Sequence, residues 1–228
     1  MRSLKSPWKD WRRRQLLSRA GVRPTPVEDT FRAGARSGTW AVRRSPLRED
    51  SVVVSVGAGD NIAWDLAMVA EFRCQVHLCD PTPASTAWLA QQPLPPQVTH
   101  HPVAIAAWDG ALGFRAPRKA RGVNFRPLEE GGEGDFEAPC VRFATLARRL
   151  GLERVDVLKL DIEGGELEVI PDLLGSGPPV DQLLVEFHHR HDGRGFDRTL
   201  AVVESLGAHG FQLFDVSRRG LEMCFHRL

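Results

Sequence analysis

The segment VVVSVGAGDNIAWDLAM, residues 52–68, constrains the fold more than any other part of the chain. A β-branched run at 51–56 stops at Gly57-Ala58-Gly59, and an apolar pattern at helical spacing, 62–70, begins just past Asp60 and Asn61. Asp and Asn at that place cap a helix by accepting hydrogen bonds from its first free N–H groups. A strand, a glycine turn and a helix in immediate succession form the opening unit of a parallel α/β sheet.

The same alternation continues along the chain. Strands are expected at 75–79, 99–106, 155–160 and 182–187, helices at 166–174 and 196–206, and a closing antiparallel hairpin at 211–216 with 222–226. Leu200, Val203 and Leu206 mark the apolar side of the last helix. The short apolar run at 155–160 suits a parallel strand buried on both faces. Residues 116–139 break the pattern. They are rich in Gly, Pro and charge, with Arg118, Lys119, Arg121 and Arg126 followed by Glu129, Glu130 and Glu133. This stretch reads as one long loop, either a binding lid or disordered chain, and its basic run suits either solvation or an anionic acceptor.

Length and composition set limits. The 228 residues, 42% of them hydrophobic, fit one α/β domain with an extension, divided here as 1–47 and 48–228. Lys plus Arg is 30 and Asp plus Glu is 29, a net charge of +1. A protein that coats nucleic acid carries a basic excess, so no nucleic-acid partner is expected. No apolar run reaches the about 18 residues that span a bilayer. Residues 1–23 are basic and almost free of acids, without the apolar centre of a secretory signal. That composition leaves an organellar targeting peptide open beside a solvated tail or a cap helix, which Trp8 and Trp11 would pack onto the domain. Cys74, Cys79, Cys140 and Cys224 show no C-x-x-C spacing, so buried free thiols and a reducing, cytoplasmic setting are expected.

The glycine turn carries chemistry as well as topology. Glycine allows a sharp turn and a close ligand approach, and the helix start after it presents free N–H groups and partial positive charge. A cofactor bearing a carboxylate is stabilised there, as the methionine end of S-adenosylmethionine would be. The next strand, VHLCD, ends at Asp80, about twenty residues past the turn, where an acid accepts hydrogen bonds from ribose hydroxyls. Asp80 also suits a cap for the Pro-Thr-Pro turn that follows. A dinucleotide site requires G-x-G-x-x-G/A, and Ile62 stands at the last position. The pattern therefore favours the methyl donor over a nicotinamide cofactor.

A second constellation, VDVLKLDIEGGELEVI at 155–170, puts Asp161 at the carboxyl end of a strand, the edge where open α/β sheets bind ligands. Glu163 and Glu166 follow around Gly164-Gly165, Glu166 also being favourable in a helix's first turn. Together LKLDIEGGELEVI (158–170), SVGAGDNIAWDLA (55–67), VHLCDPTP (76–83), LLVEFHH (183–189) and GFQLFDV (210–216) resemble the FkbM-type methyltransferase family over roughly residues 48–228. The resemblance implies a class I methyltransferase Rossmann-like α/β fold. Its sheet would be seven-stranded and mostly parallel, with a C-terminal antiparallel hairpin. It also implies S-adenosyl-L-methionine as donor and O-methylation of a small molecule or sugar. Carried over by position, Gly57, Gly59 and Asp60 would line the methionine end, Asp80 would hold the ribose, Ala106 and Ala107 would flank adenine, and Asp161 would sit between cofactor and acceptor. One departure is Ser55, where many methyltransferases carry an acid two residues before the first glycine. It leaves the contact to the cofactor's amino group unassigned.

An alcohol acceptor must lose a proton, so a base or a metal is expected. Asp161, Glu186 and His188 are the candidates at strand ends, and His188 is preferred because an ordinary pKa of ~6.5 suits proton acceptance. It is clustered with His189 and His191, which leaves a solvated loop histidine as the alternative. The same three residues offer ligands for Mg2+. A nicotinamide-dependent oxidoreductase and a non-catalytic nucleoside-binding module of the same fold remain the competing functions. The acceptor and the oligomeric state are not legible in the sequence.

Overall fold

The computed structural model describes residues 7–35, 38–117, 125–188 and 196–228. In chain order, α1 (Pro7–Arg19) precedes a hairpin of β1 (Thr30–Ala35) and β2 (Gly38–Arg43). Then come β3 (Val52–Val56), α2 (Ala63–Phe72), β4 (Gln75–Cys79), α3 (Pro83–Leu89), β5 (Val98–His101), β6 (Ala104–Ile105) and β7 (Gly110–Arg115). They are followed by β8 (Arg126–Pro127), β9 (Phe136–Val141), α4 (Phe143–Leu150), β10 (Val155–Leu160) and α5 (Glu166–Ser176). The chain closes with β11 (Val180–Glu186), α6 (Asp197–Ala208), β12 (Phe211–Val216) and β13 (Glu222–Arg227).

The central sheet has seven strands in the order β12-β13-β11-β10-β3-β4-β5. The pairs from β11 through β5 are parallel, and β13 runs antiparallel to both of its neighbours. This is the mostly parallel sheet with a closing hairpin that the sequence implied. Strand side chains alternate between faces, and both faces are covered. On one, Val54, Val56, Leu158, Leu160, Leu183 and Phe225 pack with Phe143, Ile170, Val202 and Leu206 from the helices α4, α5 and α6. On the other, Val53, Val157, Leu184 and Cys224 pack with Trp40, Val42, Trp64 and Met68.

The second face depends on the β1–β2 hairpin, which lies within the segment expected to be an extension. Trp40 is 2% exposed, and burial of a side chain of that size contributes roughly 4 kcal/mol or more. Gln182 of β11 fixes the hairpin's position: its Oε1 accepts from Arg43 N at 2.6 Å, and its Nε2 donates to Arg43 O at 3.2 Å.

Several expectations are corrected. The strand at 99–106 is two strands in different sheets, because Pro102 has no N–H to extend a ladder and the chain turns there. The stretch 116–139 is not one loop: β8 lies within it and β9 begins in it, both in a four-stranded sheet of order β6-β9-β7-β8. Residues 118–124, including Arg118, Lys119 and Arg121, lie outside the described residues. In this sheet Phe114 stacks on Phe136 at 5.1 Å and Phe125 meets it edge-on at 5.6 Å, aromatic pairs that stabilise a short ladder. The buried side of α6 is Thr199, Val202 and Leu206, a rotation from the expected stripe.

The N-terminal helix also departs from expectation. Trp8 is 59% and Trp11 52% exposed, so neither anchors α1. Leu17, 3% exposed, enters the core instead, and Arg13 Nη1 donates to Arg219 O at 2.7 Å in the β12–β13 turn.

Urea unfolding should separate these roles. Trp40→Ala is expected to lower the unfolding free energy by about 3 kcal/mol or more. Trp8→Ala and Trp11→Ala should each change it by less than about 0.5 kcal/mol.

Candidate active site

The site begins where β3 and β10 end side by side. Gly57 N donates to Cys79 O at 2.9 Å and Asp161 N donates to Val56 O at 3.0 Å, so the ladder continues just beyond the strands. Gly57 has φ +89, and a Cβ there would fall 1.8 Å from the Asp161 carbonyl oxygen. Only glycine permits that approach. Past it, Asn61 Oδ1 accepts from Ala63 N at 3.3 Å at the start of α2.

Asp80 is 6% exposed and ties two turns together. Its Oδ2 accepts from Gly59 N at 2.9 Å, and its Oδ1 accepts from Thr82 N at 2.9 Å and Thr82 Oγ1 at 2.7 Å. The capping bond read from the sequence is therefore present, and the other oxygen holds the glycine turn. A carboxylate has about four lone-pair sites, which leaves capacity toward the cavity.

These elements surround a cavity of about 650 Å3. Gly57, Gly59, Asp60, Asp80, Ala106 and Ala107 all line it, as do Asp161, Glu186 and His188. The nine positions singled out from the sequence thus meet on one surface, though they come from five separate chain segments. The four-stranded sheet forms the opposite wall through Leu112, Phe114, Arg126 and Leu128.

The polar end of the cavity holds a charged network. His188 Nδ1 pairs with Glu166 Oε1 at 2.7 Å. The same Glu166 oxygen accepts from Ile162 N and Gly164 N at 3.3 and 3.2 Å, which locks the turn before α5. His188 Nε2 lies 3.8 Å from Asp161, 3.7 Å from Glu163 and 3.8 Å from Glu186. Glu163 is held at φ +52, a left-handed backbone that a non-glycine residue adopts at a cost of about 1 kcal/mol or more. Arg219 bridges Glu186 at 3.0 Å and Glu222 at 2.6 Å.

This network sets protonation. Burial works against a charged imidazole at His188, but the hydrogen bond to Glu166 and the carboxylates of Glu166, Asp161 and Glu163 outweigh it and raise the pKa to about 10. Burial, with Asp161 and Glu222 nearby, raises Glu186 to about 7 despite His188 and Arg219. Asp161 is also raised, by burial first, against the opposing pull of Lys159 and His188. These shifts favour a protonated His188 at neutral pH and bring Glu186 close to neutrality. His189 and His191 lie outside the described residues.

Sequence reasoning passed over Arg219, which reaches the site from the hairpin turn, and Trp40, Asp65 and Lys159, which also line the cavity. Lys159 was quoted only as part of a strand motif. Asp65, too, stood only within a quoted motif.

One ligand atom each from Asp161, Glu186 and His188 lies within 4.8 Å of the others, a spacing a divalent ion would accept. The donor set does not fit Mg2+, which requires free oxygen ligands. Arg219 already donates to Glu186 Oε1, and His188 Nδ1 is engaged with Glu166.

Seven strands with one reversed next to the edge, and a cavity at the carboxyl ends of β3, β4 and β10, define the class I methyltransferase fold. The sequence matches the methyltransferase FkbM domain over residues 30–213, and the chain belongs to that family. The match includes the β1–β2 hairpin. The AMB antimetabolite synthetase AmbE of Pseudomonas aeruginosa is 37% identical over 65 residues, 28% of this chain and 3% of that protein. The chain thus corresponds to a small part of that relative. Among solved structures, the Methanococcus jannaschii fibrillarin pre-rRNA processing protein aligns with a TM-score of 0.48 at 13% identity, covering 80% of this chain and 68% of its own. Aeropyrum pernix fibrillarin, solved with S-adenosyl-L-methionine, aligns at 0.45 with 10% identity, covering 82% and 70%. These likenesses are weak, and the strand order carries the fold assignment by itself.

Two variants test this geometry. Gly57→Ala should abolish the native arrangement of the turn, read as loss of cooperative melting or of binding to S-adenosylhomocysteine. For Glu186, folding raises an acid's pKa from an ordinary 4.5 to about 7, so the folded state holds the proton more tightly. Its contribution is fully present below about pH 4.5 and is lost as pH rises through 7. His188, raised from 6.5 to about 10, loses its contribution over that higher window. In thermal melts Glu186→Gln should therefore remove on the order of 2 kcal/mol of the stability lost between about pH 4.5 and pH 8.

Proposed function

We propose that this domain transfers the methyl group of S-adenosylmethionine to a hydroxyl oxygen of a small molecule or sugar. The observation that carries the reading is Glu186, a buried carboxylate with a pKa of about 7, beside Asp161 in a cavity that also holds the glycine turn and Asp80. The family supports the methyl donor, and a cavity of about 650 Å3 suits a nucleoside with a modest acceptor.

The donor supplies an electrophilic methyl group on a sulfonium. The protein's part is positioning and proton removal. Gly57, Gly59 and Asp60 receive the methionine end, Asp80 the ribose and Ala106 with Ala107 the adenine. Asp161 lies between donor and acceptor. Glu186 accepts the hydroxyl proton as the oxygen attacks the methyl carbon, and the sulfur leaves with the bonding pair as a neutral thioether. His188, held charged by Glu166, orients Asp161 and Glu186 and stabilises negative charge on the acceptor oxygen. Arg219 keeps Glu186 in place. No step is routed through a metal.

The β1–β2 hairpin, inside the matched segment 30–213, caps one sheet face and brings Trp40 to the cavity. A cytoplasmic setting is supported by four buried cysteines without disulfides, and no helix among the described residues is long and apolar enough to cross a membrane. The stretch shared with an antimetabolite synthetase favours a biosynthetic small molecule over a macromolecule. A nicotinamide cofactor is disfavoured because Ile62 is 3% exposed in the core, where the dinucleotide turn requires a small residue.

Calorimetry on the full chain should show S-adenosylhomocysteine binding and no NAD binding; NAD binding alone would reverse the assignment. With a panel of hydroxylated small molecules and sugars, Glu186→Gln should cut turnover by about 100-fold or more while leaving S-adenosylhomocysteine affinity intact. The wild-type rate should climb with pH through about 7, and that limb should be absent in the variant.

A further inference from the structure

Two buried residues of opposite charge line the same cavity without pairing with each other. Asp65, in the first turn of α2, is 1% exposed and lines the cavity wall. Its Oδ1 is sealed from solvent without a hydrogen bond, and among the described residues no donor reaches the side chain. Lys159 of β10 also lines the cavity and is 5% exposed, with Nζ 5.4 Å from the centre of a Trp40 ring. It makes no ion pair with Asp65 among the described residues. Trp64 also lines the cavity, and its Nε1 is buried without a partner among the described residues.

A buried carboxylate without a donor costs several kcal/mol, and folded proteins retain such a group where a ligand completes its bonds. The position narrows the ligand. Lys159 pairs in register with Ser55, one pleat inside the level of Gly57 and Asp161. Ser55 Oγ, at that level of β3, is buried and has no partner among the described residues.

We propose that Asp65 and Lys159 form a clamp for the α-amino-acid end of the methyl donor. Asp65 accepts hydrogen bonds from the α-ammonium. Lys159 Nζ and Trp64 Nε1 donate to the α-carboxylate. A zwitterion matches two opposite charges that line one cavity without pairing, and each ligand charge meets its counterpart away from water. The clamp rests on the S-adenosylmethionine reading above and adds the residues that select its amino-acid portion.

The test compares S-adenosylhomocysteine with 5′-methylthioadenosine, which keeps the nucleoside and thioether but has no amino-acid end. Calorimetry on the full chain should show Asp65→Asn and Lys159→Met each binding S-adenosylhomocysteine about tenfold or more weakly. Both should bind 5′-methylthioadenosine as the wild type does. Without ligand, Asp65→Asn should melt at or above the wild-type temperature, since an isosteric amide relieves a buried charge. Wild-type affinity for S-adenosylhomocysteine in both variants, or equal losses for both ligands, would overturn the clamp. So would destabilisation of ligand-free Asp65→Asn, which would show that the fold itself needs the carboxylate. If the wild type binds neither nucleoside, the methyl-donor reading fails instead, an outcome distinct from failure of the clamp.

Discussion

The contact between the Gly57 backbone and the Asp161 carbonyl is the constraint on which the site depends. Two adjacent parallel strands end at the same level, and no Cβ fits between them. From that level the sheet's register fixes the rest. Asp161 stands at the end of β10 and Glu186 at the end of β11, while Ser55 and Lys159 lie one pleat inside. Because strand side chains alternate between faces, a shift by one residue would replace these polar groups with Leu160 and Val185. The cores on both faces hold the register in place.

Charge is organised around that edge rather than spread over it. Glu166 is buried because it binds His188 and two backbone N–H groups at once. That arrangement keeps His188 protonated. Arg219, from the C-terminal hairpin, joins Glu186 to Glu222 on the neighbouring strand. Glu186 is still left with a raised pKa, since burial and the nearby acids outweigh the two cations. His188, preferred as base for its ordinary pKa, has that pKa raised to about 10, while burial raises Glu186 to about 7.

Much of the fold was legible because apolar periodicity reports burial directly. The strands at 75–79 and 155–160 occur as expected, and the helix at 166–174 extends only to Ser176. The misses have specific causes. Pro102 splits one expected strand. Gly and charge concealed β8 and β9, whose ladder is held by Phe114, Phe125 and Phe136 rather than by alternation. The hairpin at 30–43 was hidden in a basic segment, and its burial depends on Trp40 meeting a sheet face distant in sequence. Trp8 and Trp11 had the right spacing for packing but no surface opposite them.

The sequence by itself determined the alternation of strand and helix, the need for glycine at 57, and the acids at the strand ends. Each follows from local sterics or periodicity, which act over a few residues. Tertiary structure decided protonation and partnership: which pKa values burial raises, why the carboxylates around His188 favour its charge, and why Asp65 and Lys159 line one cavity without pairing with each other. Those properties arise from desolvation and from charges brought together across long separations in the chain, and neither quantity exists until the sheet has closed.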